Sequence, residues 1–281
     1  MEIGIGLPAH IPGVTGRALV EWAQRADALG FSSLGSIDRI VFPNYEPLIA
    51  LAAAAAVTER ARLLTNILIA PLRPNAALLA KQAATVDSIS NGRLVFGLAV
   101  GGRRDDFSAS GLDFRRRGRV FDHQLEEMRR VWNGEAGIGP PLVRPGGPEV
   151  IIGGFSPAAI KRVPRYAGWI SGGGGVERFK QGAEAAKAAW KQAGKPGAPR
   201  LLALSYFSLG EEATPAARRY LLDYYSFLGP AAEAVASGAS TTPKMVKEEV
   251  TAFEGAGCDE LVLLPCATGI EQVDLLAEAT L

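Results

Sequence analysis

The chain has 281 residues, 48% of them apolar, and a formal net charge of +1. Near-neutral charge without a basic block argues against a nucleic-acid partner. No uninterrupted apolar run of about 18 residues marks a membrane span. The length suits two ordinary domains or one large barrel, which routinely takes about 250 residues as a single domain.

The opening MEIGIGLPAH carries an early acid and no basic segment, so it reads as a first strand, Ile3–Leu7, and not as a secretion signal. A helix over Thr15–Leu29 stops at Gly30, the residue type that most readily closes a helix. The second strand, Ser33–Ile37, runs into Asp38-Arg39, and the alanine-rich helix Pro47–Val57 follows. The segment 62–102 reads as one complete strand–helix–strand unit: apolar Leu63–Leu72, helical spacing over Asn75–Ile89, and apolar Arg93–Val100 ending in Gly101-Gly102. Two nearly all-apolar strands flanking a helix imply parallel strands buried on both faces.

The polar stretch Arg103–Arg119 breaks the rhythm before a helix at Phe121–Trp132 and a Gly/Pro-rich loop. The fifth strand, Glu149–Ile152, ends in Gly153-Gly154 and leads to a helix from Pro157 to about Ala167. The sixth strand, Trp169–Ser171, precedes Gly172–Gly175 and a helix over Glu177–Ala193. The seventh strand is Arg200–Ser208, a helical region interrupted near GASTTP fills Pro215–Glu254, and the eighth strand is Glu260–Leu264 before a last helix, Ile270–Ala279. Eight strands alternating with helices predict an α/β fold, a single TIM (β/α)8 barrel over residues 1–281 with insertions; an open doubly wound sheet is the alternative. Cys258 and Cys266 lie at opposite ends of one strand, too far apart to bridge, and reduced thiols fit a cytoplasmic protein.

In such a barrel the chemistry sits at the C-terminal ends of the strands. Those ends supply His10, Asp38-Arg39, Asn66 within the third strand, Arg73, Gly101-Gly102, Gly153-Gly154-Phe155-Ser156 and Gly172–Gly175. In GGFSP, Ser156 sits at a helix N-cap with Pro157 at the first helical position. The free amides beyond it suit a phosphate, although a plain strand-to-helix turn looks the same. Gly172 and Gly173 would let backbone approach a bulky ligand. His10 is either an acid, base or hydrogen-bond donor at the mouth, or a loop histidine beside two prolines. Asp38-Arg39 either grips a ligand or closes the second strand structurally. The basic run Arg115–Arg119 reads as a solvated face. Two distant histidines and two separated cysteines make no metal-ligand spacing.

The pieces WAQRADALGFSSL with DR following, PLIALAAAAAVTERARLLTNILIAPLRPNAALLAKQAATVDSISNGRLVFGLAVGG, DFSASGLDFRRRGRVFDHQL with VWNG, and GGPEVIIGGFSPAAIKRVPRYAGW appear in an order and spacing that cover nearly the whole chain. Together they resemble the bacterial luciferase-like superfamily of flavin- and deazaflavin-dependent oxidoreductases. The resemblance implies a TIM barrel, commonly a homodimer, holding FMN or coenzyme F420 in its mouth. It implies a cis peptide at Asn66-Ile67 supporting the cofactor ring, Gly101 and Gly102 beside the cofactor, and Gly153, Gly154 and Ser156 on the phosphate. The chain departs from the pattern at Arg39, where several F420-dependent members carry a catalytic histidine directly after the aspartate.

What the resemblance implies for function is a monooxygenase using reduced FMN and oxygen on a small organic substrate, with a separate flavin reductase as supplier of the reduced cofactor. Hydride transfer with F420 and no oxygen is the alternative; a non-catalytic flavin-binding protein on the same fold is a third reading. Catalytic candidates are His10, Asp38 and Arg39. The small residues of the Pro47–Val57 helix suit either a close-packed dimer face together with the helix after the third strand, or packing of this helix against its own barrel.

Overall fold

The structure, a computed structural model, describes residues 1–135 and 137–281. Its strands are β1 (Glu2–Gly6), β2 (Ser33–Ser36), β3 (Arg62–Thr65), β4 (Leu68–Ile69), β5 (Leu94–Ala99), β6 (Glu149–Gly153), β7 (Gly168–Ser171), β8 (Arg200–Phe207) and β9 (Glu260–Pro265). All pair in parallel in the order β3-β2-β1-β9-β8-β7-β6-β5-β4. The sheet closes where β3 and β4 both pair with β5, Leu63 against Leu94 and Leu68 against Leu98. Nine segments with β3 and β4 on one stave make eight staves: the closed α/β barrel expected from the strand count.

The helices are α1 (Gly16–Leu29), α2 (Pro47–Ala55), α3 (Ala76–Ile89), α4 (Arg104–Ala109), α5 (Arg117–Trp132), α6 (Pro157–Arg162), α7 (Gly175–Gln192), α8 (Ala213–Tyr224), α9 (Ala232–Ser237), α10 (Pro243–Gly255) and α11 (Glu271–Thr280). Several start on a side-chain cap that satisfies an otherwise free amide: Thr15 on Ala18, Asn75 on Leu78, Ser156 on Ala159 and Thr242 on Met245. Such caps fix where each loop turns down from the barrel rim into its helix. None of the helices among the described residues is long and apolar enough to cross a membrane.

Two apolar layers hold the barrel. Inside, Leu64, Val95, Ile151, Ile170, Leu202 and Val262 fill the bore, so the mouth stands on a packed floor. Outside, the staves bury their other face against the helices, with Trp22, Phe96, Trp132, Trp169, Phe179 and Phe253 among the bulky members. Cys258 and Cys266 are both buried and unpaired.

The expected third strand, Leu63–Leu72, is not continuous. The ladder stops at Thr65, whose hydroxyl donates to the Gly97 carbonyl at 2.8 Å, and a Cβ on Gly97 would lie 2.0 Å from the Thr65 carbonyl oxygen. After the bulge come β4 and a 3₁₀ turn, Ala70–Leu72. The helix read from Pro157 to Ala167 ends at Arg162, and Val163–Arg165 tightens into a 3₁₀ turn around Pro164, which cannot continue the ladder of amides. The stretch 103–119 is not plain loop: it holds α4 and the turn Phe114–Arg116, while α5 begins at Arg117, earlier than its apolar pattern. The region after β8 is α8, a 3₁₀ segment Ser226–Ala231, α9 and α10, of which α10 packs between α7 and α11 outside the barrel.

Candidate functional site

A cavity of about 520 Å³ opens at the C-terminal ends of the staves. It is walled by Asp38-Arg39, by Asn66 to Ile69, by Gly101 to Arg103, by Gly153 to Ser156, and by Leu204, Tyr206 and the aromatic segment Tyr224–Phe227.

The two charges after β2 are committed to the protein. The Asp38 carboxylate accepts two bonds from the Arg73 guanidinium, 2.6 and 3.1 Å, and one from the Ile69 amide, 2.8 Å. Arg73 passes the chain on to Glu46 at 2.6 Å. Burial pushes the Asp38 carboxyl up, with Arg73 pulling against it. Arg39 donates to Asp106 at 2.8 Å and to Asp105 at 2.6 Å, both in the first turn of α4. The second oxygen of Asp106 accepts the amides of Ile40 and Val41 at 3.0 and 2.7 Å. This knot ties the β2 loop to α4 and sets one side of the mouth. Asp38 and Arg39 therefore line the cavity as halves of closed ion pairs, not as free acid or base groups.

His10 does not line the cavity, contrary to its placement as a mouth residue. The chain turns inward through a 3₁₀ helix, Pro8–His10, and leaves the imidazole 1% exposed. Its Nε2 bonds the Pro265 carbonyl at 2.9 Å, so that nitrogen carries the hydrogen, and the ring packs against Tyr220 with centroids 5.3 Å apart. Burial lowers its pKa to about 4, which keeps it neutral. His123 is exposed on α5.

On the bulge between β3 and β4 the Asn66-Ile67 bond is cis, as the resemblance implied. Asn66 is fully buried, lines the cavity, and neither its oxygen nor its nitrogen has a partner in the protein. A buried primary amide without partners is costly, so this side chain calls for polar atoms of a ligand. Ile67 packs over Gly153, where a Cβ would lie 2.2 Å from the Ile67 side chain. The Gly153–Ser156 turn is pinned from behind by Trp169, whose indole donates to the Gly154 carbonyl at 2.9 Å. Ser156 caps α6 and faces the cavity. Gly101, Gly102 and Gly172 also line it, whereas Gly173 lines an adjoining chamber.

Sequence reasoning missed two groups at this site, Arg178 and the Tyr224–Phe227 segment, whereas Tyr206 stands on the seventh strand where the site was sought. Arg178, in the first turn of α7, reaches the cavity wall across the Phe155 ring, 4.1 Å from its centroid, and has no carboxylate partner among the described residues. It looks in the sequence like any solvent-facing helix charge. Tyr224, Tyr225 and Phe227 form a roof that surrounds the Arg103 guanidinium, 4.4, 5.3 and 4.1 Å from the three centroids. Tyr206 and Tyr225 share a hydroxyl–hydroxyl bond of 2.8 Å, and burial pushes both phenols up, so both stay protonated. The stretch 103–117 lines the cavity through Arg103, Asp106, Phe107 and Arg117, while Ala234, Val235 and Gly238 line the adjoining chamber. No group of three or more His, Cys, Asp or Glu among the described residues gathers as a metal site.

The sequence profile of luciferase-like monooxygenases matches residues 1–278. An uncharacterized protein of Mycobacterium tuberculosis is 27% identical over 208 residues, 62% of this chain and 71% of that protein. The FMNH2-dependent dimethylsulfone monooxygenase of Pseudomonas fluorescens is 30% identical over 183 residues, 56% of this chain and 48% of that relative. An F420-dependent secondary alcohol dehydrogenase, solved with an F420-acetone adduct, has the same fold with a TM-score of 0.81 at 17% identity, over 99% of this chain and 97% of that one. Relatives thus use FMN or F420. The profile match runs almost from end to end, and the chain belongs to the luciferase-like family of flavin- or F420-dependent oxidoreductases.

Proposed function

We propose that the chain holds FMN or F420 in the mouth cavity and acts on a small organic substrate, most consistently as a monooxygenase using reduced FMN and oxygen. The bulge residue Asn66 carries this reading: it lines the 520 Å³ cavity and its buried side-chain amide has no partner in the protein, which suits the heteroatom edge of a planar ring. Ser156, Gly154, Gly172 and Arg178 would hold the phosphate at the other end. The bound cofactor supplies the redox chemistry. The protein orients it on Asn66 and Ile67, excludes water with Leu204 and the Tyr224–Phe227 roof, and keeps neutral phenol protons at Tyr206 and Tyr225 beside the substrate space.

Oxygen chemistry is favoured over carbonyl reduction by what surrounds β2. Arg39 is tied to Asp105 and Asp106, and both histidines lie off the cavity wall, so no imidazole stands ready to exchange a proton with an alcohol or ketone. Side-by-side calorimetric titration with FMN and F420, followed by oxygen-uptake assays with reduced FMN, tests the proposal. Tight FMN binding with substrate-stimulated oxygen uptake supports it. Turnover only with F420 under strict anaerobiosis replaces it with the hydride-transfer alternative, and binding of neither cofactor removes both.

A homodimer through α2 and α3 is part of the same reading. Ile49 and Leu78 stand 66% and 50% exposed on these helices beside the small residues of α2. Ile49→Glu should halve the mass seen by light scattering with little change in melting temperature; an unchanged mass would remove this interface.

A further inference from the structure

Beyond the main cavity lies a second chamber of about 380 Å³. The two share a wall of Leu204, Tyr206, Tyr225 and Arg178. The glycine run 172–175, whose Gly172 also lines the main cavity, contributes backbone and no side chains, and Leu228 and Val235 line the chamber as well. Its one carboxylate is Glu249, on α10.

Glu249 is fixed in place. The Ser205 hydroxyl of β8 donates to one carboxylate oxygen, and the Ser240 hydroxyl donates to the other at 2.8 Å. Ser240 is itself held by the backbone: its amide donates to the Tyr206 carbonyl at 2.9 Å, and its carbonyl accepts the Ser208 amide at 3.1 Å. Two elements therefore aim one half-buried acid into the chamber. Three carboxylates line the two cavities. Asp38 is paired with Arg73 and Asp106 with Arg39, whereas Glu249 has only hydroxyl partners and no cation among the described residues. Burial pushes its carboxyl up, and only the two serines pull it back.

We infer that this chamber binds an ammonium group of a ligand whose apolar part lies along Tyr206 and Tyr225. The choice of ligand chemistry follows from what Glu249 lacks. A neutral hydroxyl would add one more bond to a carboxylate that already accepts two and would leave its charge uncompensated. An anion would meet Arg178 in the shared wall and not Glu249. A divalent cation needs several oxygen ligands, and one carboxylate with two serines is a poor set. A cationic amine supplies the missing compensation and strengthens as water leaves. The adjoining phenol wall adds aromatic faces that favour a cation. The inference names an amine-bearing substrate for the redox site proposed above; that role rests on the flavin reading, but the binding does not.

The test titrates the apo-protein with benzylamine, benzyl alcohol and benzoate, and with FMN and F420 in the same series. Benzylamine should bind about tenfold or more tightly than benzyl alcohol, and Glu249→Gln should erase that preference. Its melting temperature and its affinity for FMN or F420 should stay within error, since neither is assigned to Glu249. Equal binding of amine and alcohol to the wild type overturns the inference, as does a preference that survives Glu249→Gln or the absence of amine binding altogether. Should the variant fail to fold, the wild-type contrast between amine and alcohol decides alone. Loss of cofactor binding with amine binding intact would remove the flavin reading and leave the amine site standing.

Discussion

The two sides of the barrel mouth treat charge in opposite ways. On the β2 side every charge is closed within the protein: Asp38 with Arg73 and Glu46, Arg39 with Asp105 and Asp106. On the side of the β3–β4 bulge and the β6 to β8 ends, residues that line the cavities carry polar groups without a protein partner of matching kind: the Asn66 amide, the Arg178 guanidinium and the Glu249 carboxylate. The first set builds the rim; the second is arranged for something that is not protein. Proximity to the mouth alone does not make a residue functional, and an unmet bonding capacity inside a cavity is the more telling sign.

Breaking the closed side should cost the most stability. Arg39→Ala leaves the buried Asp106 without its cation, which should destabilise the fold by about 3–5 kcal/mol in denaturant unfolding. A much smaller loss would mean that Asp106 finds another partner and that the knot does not organise the rim.

His10 belongs to the same closed side and has a pH signature. Its pKa falls from 6.5 unfolded to about 4 folded, so the unfolded chain binds the extra proton between those values. The neutral form stabilises the fold fully above about pH 6.5, and about 3 kcal/mol should be lost as pH falls toward 4. Comparing unfolding free energies across this range with His10→Gln isolates the effect from the carboxylates. His10→Gln should flatten that part of the profile and leave cofactor affinity unchanged; a loss of affinity would return His10 to the site.

The open side should behave in the reverse manner. Arg178→Ala should change stability by no more than about 0.5 kcal/mol, since its only protein contact of note is the Phe155 face. Cofactor binding should weaken by about 1.5–3 kcal/mol, as for a lost charge-assisted bond. Ser156→Ala is the mixed case. It removes the cap on Ala159, worth about 1 kcal/mol of stability, and a loss of affinity beyond that would mark the hydroxyl as a phosphate contact. Equal loss of stability with unchanged affinity would make the turn an ordinary one.

The barrel was legible because apolar strands alternate with capped, periodic helices, and each such unit constrains its neighbours. The site was legible only where chain order is enough. Asn66 and Ser156 lie on strand ends, so topology delivers them to the mouth. Arg39 was legible as a mouth residue but not as a bolted one, because Asp105 and Asp106 arrive from an excursion some 66 residues away. The mouth reading of His10 fails because the 3₁₀ turn Pro8–His10 leaves the ring buried against Tyr220 and bonded to the Pro265 carbonyl. Tyr220, Leu221 and Tyr224 read as a plain core stripe on α8, and nothing local says that the next residue, Tyr225, closes a roof over Arg103. The cis bond was accessible through family resemblance alone.

The central claim, that unpartnered polar groups at the mouth belong to a ligand, is tested most directly by Asn66→Leu. Paired measurements of melting temperature and of FMN and F420 affinity, by calorimetry on the same samples, read both consequences at once. Removing an amide with no protein partner should leave the melting temperature unchanged or raise it, while affinity falls about tenfold or more. A lower melting temperature with undiminished affinity for both cofactors would contradict the account, because Asn66 would then serve the fold and not the ligand.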